Sequence, residues 1–191
     1  MTDSVDSDQL ILVDEADREV GHLSKDECHA GSGVLHRAFS LLIFNPRGEL
    51  LLQQRSERKR LWPHYWSNSC CSHPRRGESM SAATRRRLVE ELGLSCPLRF
   101  LFKFQYQAQF DPIGAEHELC SVFYGHSGER VLANGDEIAA WRWVELEQLQ
   151  REIDAAESRF TPWFLTEWSL IRRDHLQSIL SHGAARTWPS H

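Results

Sequence analysis

From Phe100 to Phe110 apolar and polar residues alternate with period two. Phe100, Phe102, Phe104, Tyr106, Ala108 and Phe110 fall on one side, and Leu101, Lys103, Gln105, Gln107 and Gln109 on the other. Successive side chains of an extended chain point to opposite faces, so this pattern predicts a β-strand with one buried face, Tyr106 among its members. Asp111-Pro112-Ile113-Gly114 reads as a turn, and Glu116 to Gly125 as the strand that pairs back.

The rest of the chain is read around that ribbon. Gln9 to Val13 is a short strand, followed by a turn at Asp14 to Asp17. A polar stretch then carries His29, with Gly31 and Gly33 breaking any helix before His36. Arg37 to Phe44 and Glu49 to Gln54 are apolar runs joined by Asn45-Pro46-Arg47-Gly48, a hairpin signal. Trp62 to Ser69 is aromatic and broken by Pro63. Glu78 to Leu92 lacks Pro and Gly and is closed by Gly93, which predicts a helix with Arg87 and Glu91 at i, i+4. Ile138 to Val144 is a further strand and Glu145 to Ile153 a short helix. Phe160 to Leu180 is expected to be helical after Pro162, with a loose end from Ser181. No internal repeat appears. The expectation is one α+β domain over residues 1–191, a mixed sheet flanked by helices, with flexible ends at 1–8 and 181–191.

The bulk properties narrow the partners. A chain of 191 residues, 41% hydrophobic and 26% charged, can build a real core. A net charge of −5 argues against nucleic acid as a partner. The basic residues nevertheless cluster, at Arg55, Arg58, Lys59 and Arg60 and again at Arg75, Arg76, Arg85, Arg86 and Arg87. Such clusters either face solvent or receive a small anionic ligand. No segment approaches the roughly 20 apolar residues that cross a bilayer, so no membrane partner is expected. The polar, acidic start gives no export signal, and the five cysteines read as reduced thiols of a cytoplasmic protein.

Two stretches carry chemistry. Asn68-Ser69-Cys70-Cys71-Ser72-His73 puts a thiol two residues from an imidazole, and Glu116-His117-Glu118 puts two carboxylates on one face of a strand. With His29 and His36 they supply an acid/base pair and a metal cage, although each piece alone is ambiguous. The two thiols of the doublet face opposite ways on an extended segment, so only one of them can join the pair.

The stretch from Ser72 to Leu94 resembles the Nudix box, Gly-x5-Glu-x7-Arg-Glu-U-x-Glu-Glu-x-Gly-U, with U an aliphatic residue. Glu78, Arg86, Leu88, Glu90, Glu91, Gly93 and Leu94 match it, while Ser72 replaces the first Gly and Arg87 replaces a Glu. In Nudix hydrolases that Glu helps bind the metals that cleave a diphosphate. Arginine there reverses a charge of the metal site, so the resemblance implies the fold and puts hydrolysis in doubt.

Further motifs extend the likeness: His29-x6-His36, Trp62-Pro63 with Trp66-Ser67-Asn68-Ser69, Cys71-x-His73-Pro74, Glu116-x-Glu118 and Thr161-Pro162-Trp163. From about Leu10 to Trp168 the chain resembles the type I isopentenyl-diphosphate isomerases, Nudix-fold enzymes of isoprenoid biosynthesis that shift a carbon–carbon double bond. That chemistry needs a positioned proton donor and a positioned base. The resemblance implies Cys71 and Glu118 as this pair, Cys70 then being a small buried hydrophobe. It implies Tyr106 as the residue orienting Glu118 and Trp163 as the aromatic face for a tertiary cation. It implies His29, His36, His73, Glu116 and Glu118 as ligands of Mn²⁺ or Mg²⁺, with Zn²⁺ also compatible. Arg55, Lys59 and Arg87 would hold the diphosphate, and Glu91 would ligate a Mg²⁺ bound with it. A monomer acting on isopentenyl diphosphate is expected. A Nudix hydrolase and a non-catalytic metal-binding scaffold are the other readings. The first predicts a complete acidic box and no need for Cys71, and the second leaves the thiol, the basic clusters and Trp163 without a reason.

Overall fold

A computed structural model describes residues 9–184. Its centre is strand β3 (His36–Phe44), whose buried residues alternate between two cores. Phe39, Leu41 and Ile43 face one side with α2 (Met80–Leu92), whereas Leu42 and Phe44 face the other. That second side is covered by α3 (Leu146–Ala156), α4 (Pro162–Asp174) and α5 (Leu176–Ala184). The result is a mixed sheet between helices, the α+β architecture that the pattern of elements predicts.

β8 (Gly114–His126) pairs in parallel with the whole of β3, from His36 beside Glu118 to Phe44 beside His126. On the opposite edge β3 meets three partners in turn. β1 (Leu10–Val13) pairs at His36, β6 (Cys70–Ser72) at Phe39 to Leu41, and β4 (Leu50–Arg55) at Phe44. β4 continues between β5 (Trp66–Ser67) and β9 (Ile138–Val144). The hairpin expected at Asn45 to Gly48 therefore exists only at its mouth, because the strands diverge to take other partners.

β7 (Leu98–Phe110) pairs antiparallel with β8 as the alternation predicts, except at one end. A register shift between Phe100 and Phe102 inverts the phase there. Phe100 is consequently 56% exposed and packs edge-on against Phe123 rather than joining the buried face. Two further elements differ from expectation. The polar stretch before His36 contains β2 (Glu19–Leu23), antiparallel to β1, and one helical turn, α1 (Lys25–Cys28), capped by Ser24 and Glu27. The C-terminal helical region breaks at His175, and Ser181 to Gly183 continue α5, with residues 185–191 outside the described part.

α2 starts at Ser79, whose hydroxyl accepts the Ala82 N–H. It ends at Gly93 in the left-handed region, φ 65°, with the Gly93 N–H donating to the Val89 carbonyl. A Cβ on Gly93 would stand 2.8 Å from Leu132 Cβ, against a loop tied down by the Leu132 N–H to Leu92 carbonyl bond. Gly93→Ala is therefore expected to cost about 2 kcal/mol in urea denaturation, from backbone strain and the forced shift together.

One acid lies in the core behind the sheet. Glu167 of α4 is fully buried, accepts from Ser40 Oγ, and keeps Oε2 without a partner among the described residues. Burial, opposed by the Ser40 and Cys120 hydrogen bonds, pushes its carboxyl up to about 8 from the ordinary 4.5. The folded chain thus retains a proton that the unfolded chain loses above 4.5, so this contribution is complete below 4.5 and disappears as pH rises through 8. Between pH 5 and pH 8, Glu167→Gln should remove a stability decline of about 4 kcal/mol seen in the parent, measured as the difference between their denaturation free energies.

Candidate metal centre and acid-base site

Strand register decides which side chains meet. Glu118 has His36 beside it on β3 and Tyr106 opposite it on β7, while Glu116 faces Ala108. On the other edge of β3, Cys71 pairs with Ser40. Because alternate residues of a strand share a face, Cys71 and His73 project together, as do Glu116 and Glu118. Cys70 points the opposite way into the core beside α2, so alternation separates the two thiols as expected.

His29 arrives from the C-cap of α1. Its carbonyl accepts the Ala115 N–H at 3.1 Å, which ties the loop to the start of β8. A Cβ at Gly114 would lie 2.3 Å from that carbonyl oxygen, so only glycine lets the loop approach so closely.

One ligand atom from each of His29, His36, His73, Glu116 and Glu118 lies within 4.8 Å of the others, and all five residues are buried. His29 and His36 turn Nδ1 onto the carbonyls of Lys25 and Val34, at 2.6 and 2.7 Å. Each Nδ1–H therefore donates outward, and each Nε2 lone pair is left for the cluster. Among the described residues both Nε2 atoms and Glu116 Oε2 lack hydrogen-bond partners, even though His29 Nε2 and Glu116 Oε2 are only 2.8 Å apart. Buried acceptors converging without donors are costly unless a cation joins them. Three imidazoles and two carboxylates so arranged make a divalent-metal site.

The electrostatics agree. Burial, then the neighbouring His29, pushes His36 down to about 4, and burial with both neighbouring imidazoles pushes His73 well down. These rings are thus neutral, the form that ligates a metal. Burial would raise Glu116, but contact with His29 and the charge of the nearby Arg55 outweigh it and hold the carboxyl below its ordinary value. Glu118 shifts the opposite way, driven up by burial and by the charge of Glu116. Tyr106 donates its hydroxyl to Glu118 Oε2 at 2.7 Å, and His73 Nε2 lies 2.7 Å from Oε1. Burial also raises the Cys71 thiol to about 12 despite the nearby Arg55 guanidinium, so it stays protonated.

Every residue expected to act on substrate lines one cavity of about 220 Å³: Arg55, Lys59, Cys71, Arg87, Tyr106, Glu118 and Trp163. Trp163 is fixed there by its Nε1–H to Asn68 Oδ1 at 3.3 Å and by Trp62 edge-on at 5.3 Å. The Arg55 guanidinium stands 5.2 Å from the Trp163 ring centroid. Its N–H groups donate to the Leu61 and Trp62 carbonyls, which steadies Trp62 at a positive φ of 46°. The Trp66 to Ser69 motif is structural: Ser67 Oγ meets Asn68 Oδ1 and Thr161 Oγ1, each at 2.8 Å, and Ser69 Oγ donates to the Leu51 carbonyl.

Of the box residues, Glu78 accepts two N–H groups of Arg86, a clamp between loop and helix. Arg87 donates to Glu90, Glu91 and Glu137. Glu91 is buried on the helix stripe beneath Arg87 and is not among the five clustered ligands. The sequence gives no sign of Glu137, which pairs with both Lys59 and Arg87, or of Lys25, which joins the cavity wall from α1. Each is a lone residue outside any motif.

The geometry has counterparts elsewhere. The family model described as NUDIX domain matches residues 34–164. Isopentenyl-diphosphate Delta-isomerase 1 of Photorhabdus laumondii is 41% identical over 174 residues, covering 90% of this chain and 99% of that protein. Isopentenyl-diphosphate Delta-isomerase of Pectobacterium atrosepticum is 40% identical over 173 residues, covering 91% and 96%. A crystal structure of a Deinococcus radiodurans protein superposes with a TM-score of 0.68 at 26% identity, covering 87% of this chain and 99% of the other. The chain belongs to the NUDIX family, and within it to the isopentenyl-diphosphate Delta-isomerases.

Proposed function

We propose that this chain interconverts isopentenyl diphosphate and dimethylallyl diphosphate, with Cys71 and Glu118 as the proton-transfer pair. The reaction adds a proton to the terminal alkene carbon and removes one from the carbon two bonds away, so donor and acceptor must reach different atoms of one substrate. The observation that carries this reading is the convergence of a protonated thiol and a second titratable carboxyl on the same cavity from strands flanking β3.

Cys71 acts as the thiol its burial maintains, and its proton goes to or comes from the alkene carbon according to direction. Glu118 exchanges the proton at the other carbon, its carboxyl oriented by the Tyr106 hydroxyl. Trp163 faces the tertiary carbon on which positive charge develops, its ring held by Asn68. Arg55, Lys59 and Arg87 bind the diphosphate, and Arg87 grips the group where a box glutamate would help to cut it. The five-residue cage would hold Mn²⁺ or Mg²⁺, Zn²⁺ being also compatible, and Glu91 would ligate a Mg²⁺ that enters with the diphosphate. A cation in the cage supplies positive charge that lowers the proton affinity of Glu118.

The discriminating assay supplies isopentenyl diphosphate and a divalent ion and measures dimethylallyl diphosphate against released phosphate. The isomer alone is expected. Phosphate without isomer would mark a hydrolase, and neither product a scaffold. Cys71→Ser should lower kcat about 10³-fold with KM within a few-fold, the scale of a lost general acid; a full rate in this variant would overturn the pair. Dialysis against a chelator should abolish turnover and lower Tm, and Mn²⁺ or Mg²⁺ should restore both. Glu116→Gln should require more metal for the same recovery of Tm.

A further inference from the structure

Lys59 and Arg87, on which the diphosphate seat of the proposed function rests, are already occupied. Glu137, the residue before β9, accepts from Lys59 Nζ through Oε2 and from Arg87 Nη2 through Oε1 at 2.9 Å. One carboxylate thus bridges the two cations at the cavity wall. Glu91, wholly buried beneath Arg87, supplies a second negative charge. Glu90, 2.9 Å from Arg87 Nη1 and shared with Arg86, adds a third, so an arriving diphosphate meets Lys59 and Arg87 already neutralised rather than a free basic pair.

Glu91 and Glu137 are not equivalent. Glu91 is enclosed, whereas the Glu137 side chain is 23% exposed and reaches the cations from the rim. The Glu137 backbone is anchored, its carbonyl accepting the Ser56 N–H at 3.0 Å and its N–H donating to Asn134 at 3.1 Å. Only the side chain has freedom. It borders an adjoining cavity of about 240 Å³ whose other walls include Lys25, Arg75, Arg86 and Arg87. A displaced carboxylate would therefore have somewhere basic to go. Arg55 makes the contrast: its guanidinium is directed at carbonyl oxygens and the Cys71 sulfur, with no acidic partner within 4 Å among the described residues.

We propose that Glu137 is a positioning residue that acts as an internal counterion, competing with the substrate diphosphate for Lys59 and Arg87 and swinging aside when the diphosphate binds. Its competition weakens the hold on product as much as on substrate. The flanking cations push its carboxyl down to about 2 against the effect of burial, so it is charged throughout the working range.

A purely structural Glu137, one that merely holds Lys59 and Arg87 in place, predicts the opposite sign for its removal. The test is calorimetric titration of the metal-loaded, full-length protein with inorganic pyrophosphate in Mg²⁺ buffer. Glu137→Gln should tighten the pyrophosphate Kd about tenfold. It should also steepen the salt dependence of Kd, since solution anions would now neutralise the freed cations. KM for isopentenyl diphosphate should fall while kcat does not rise. Glu137→Asp, which keeps the charge but withdraws it by one methylene, should lie between parent and Gln variant. An unchanged or weakened Kd in Glu137→Gln would overturn the proposal. Arg87→Met separates this from failure of the diphosphate seat itself: pyrophosphate binding indifferent to Arg87 would overturn the seat and the counterion together, whereas binding sensitive to Arg87 but not to Glu137 would overturn the counterion alone.

Discussion

The parallel pairing of β3 with β8 is the constraint from which the site follows. It joins segments some eighty residues apart and sets His36 beside Glu118. A slip of one residue would turn Glu116 and Glu118 to the opposite face, away from the three imidazoles. That register is itself protected by what lies on either side. Leu41, Ile43 and Phe39 are buried against α2, and Leu42 and Phe44 against α3 to α5, so a shifted β3 would bring its polar residues into one core and remove apolar ones from the other. The same strand carries Ser40 opposite Cys71, so one central element positions the metal cage and the thiol together.

Much of this was legible in the chain because it rests on local periodicity. The alternation through Tyr106 placed its hydroxyl on the face where it meets Glu118, and the same rule set Cys70 and Cys71 on opposite faces, the family motif then choosing Cys71. The α2 boundary at Gly93 was marked by its terminator. What escaped reading depends on partners distant in sequence. Phe100 obeys the alternation in sequence but not in space, because a bulge against β8 inverts its phase. The turn at Asn45 to Gly48 is real, yet β3 and β4 part beyond it because each has better partners elsewhere. Glu137 reaches Arg87 across fifty positions of sequence, and no spacing rule connects single residues over such an interval.

Arg87 illustrates how one substitution in a familiar helix changes what the helix offers. At this position α2 presents a cation to the cavity, on the stripe that also buries Leu88 and Glu91. The acidic residues around it, Glu90, Glu91 and Glu137, then accept its N–H groups. Negative charge remains in the helix, while the two acids that cluster with the three imidazoles lie on β8.

The scatter of the cage through the sequence also bears on how the protein acquires its ion. His29, His36 and His73 come early, whereas both carboxylates belong to β8. A chain emerging from the ribosome holds only three of the five donors, on segments whose partner strand has not yet been made. An ion held by all five donors would bind only after β8 has docked along β3, and so would favour the finished sheet over every earlier species.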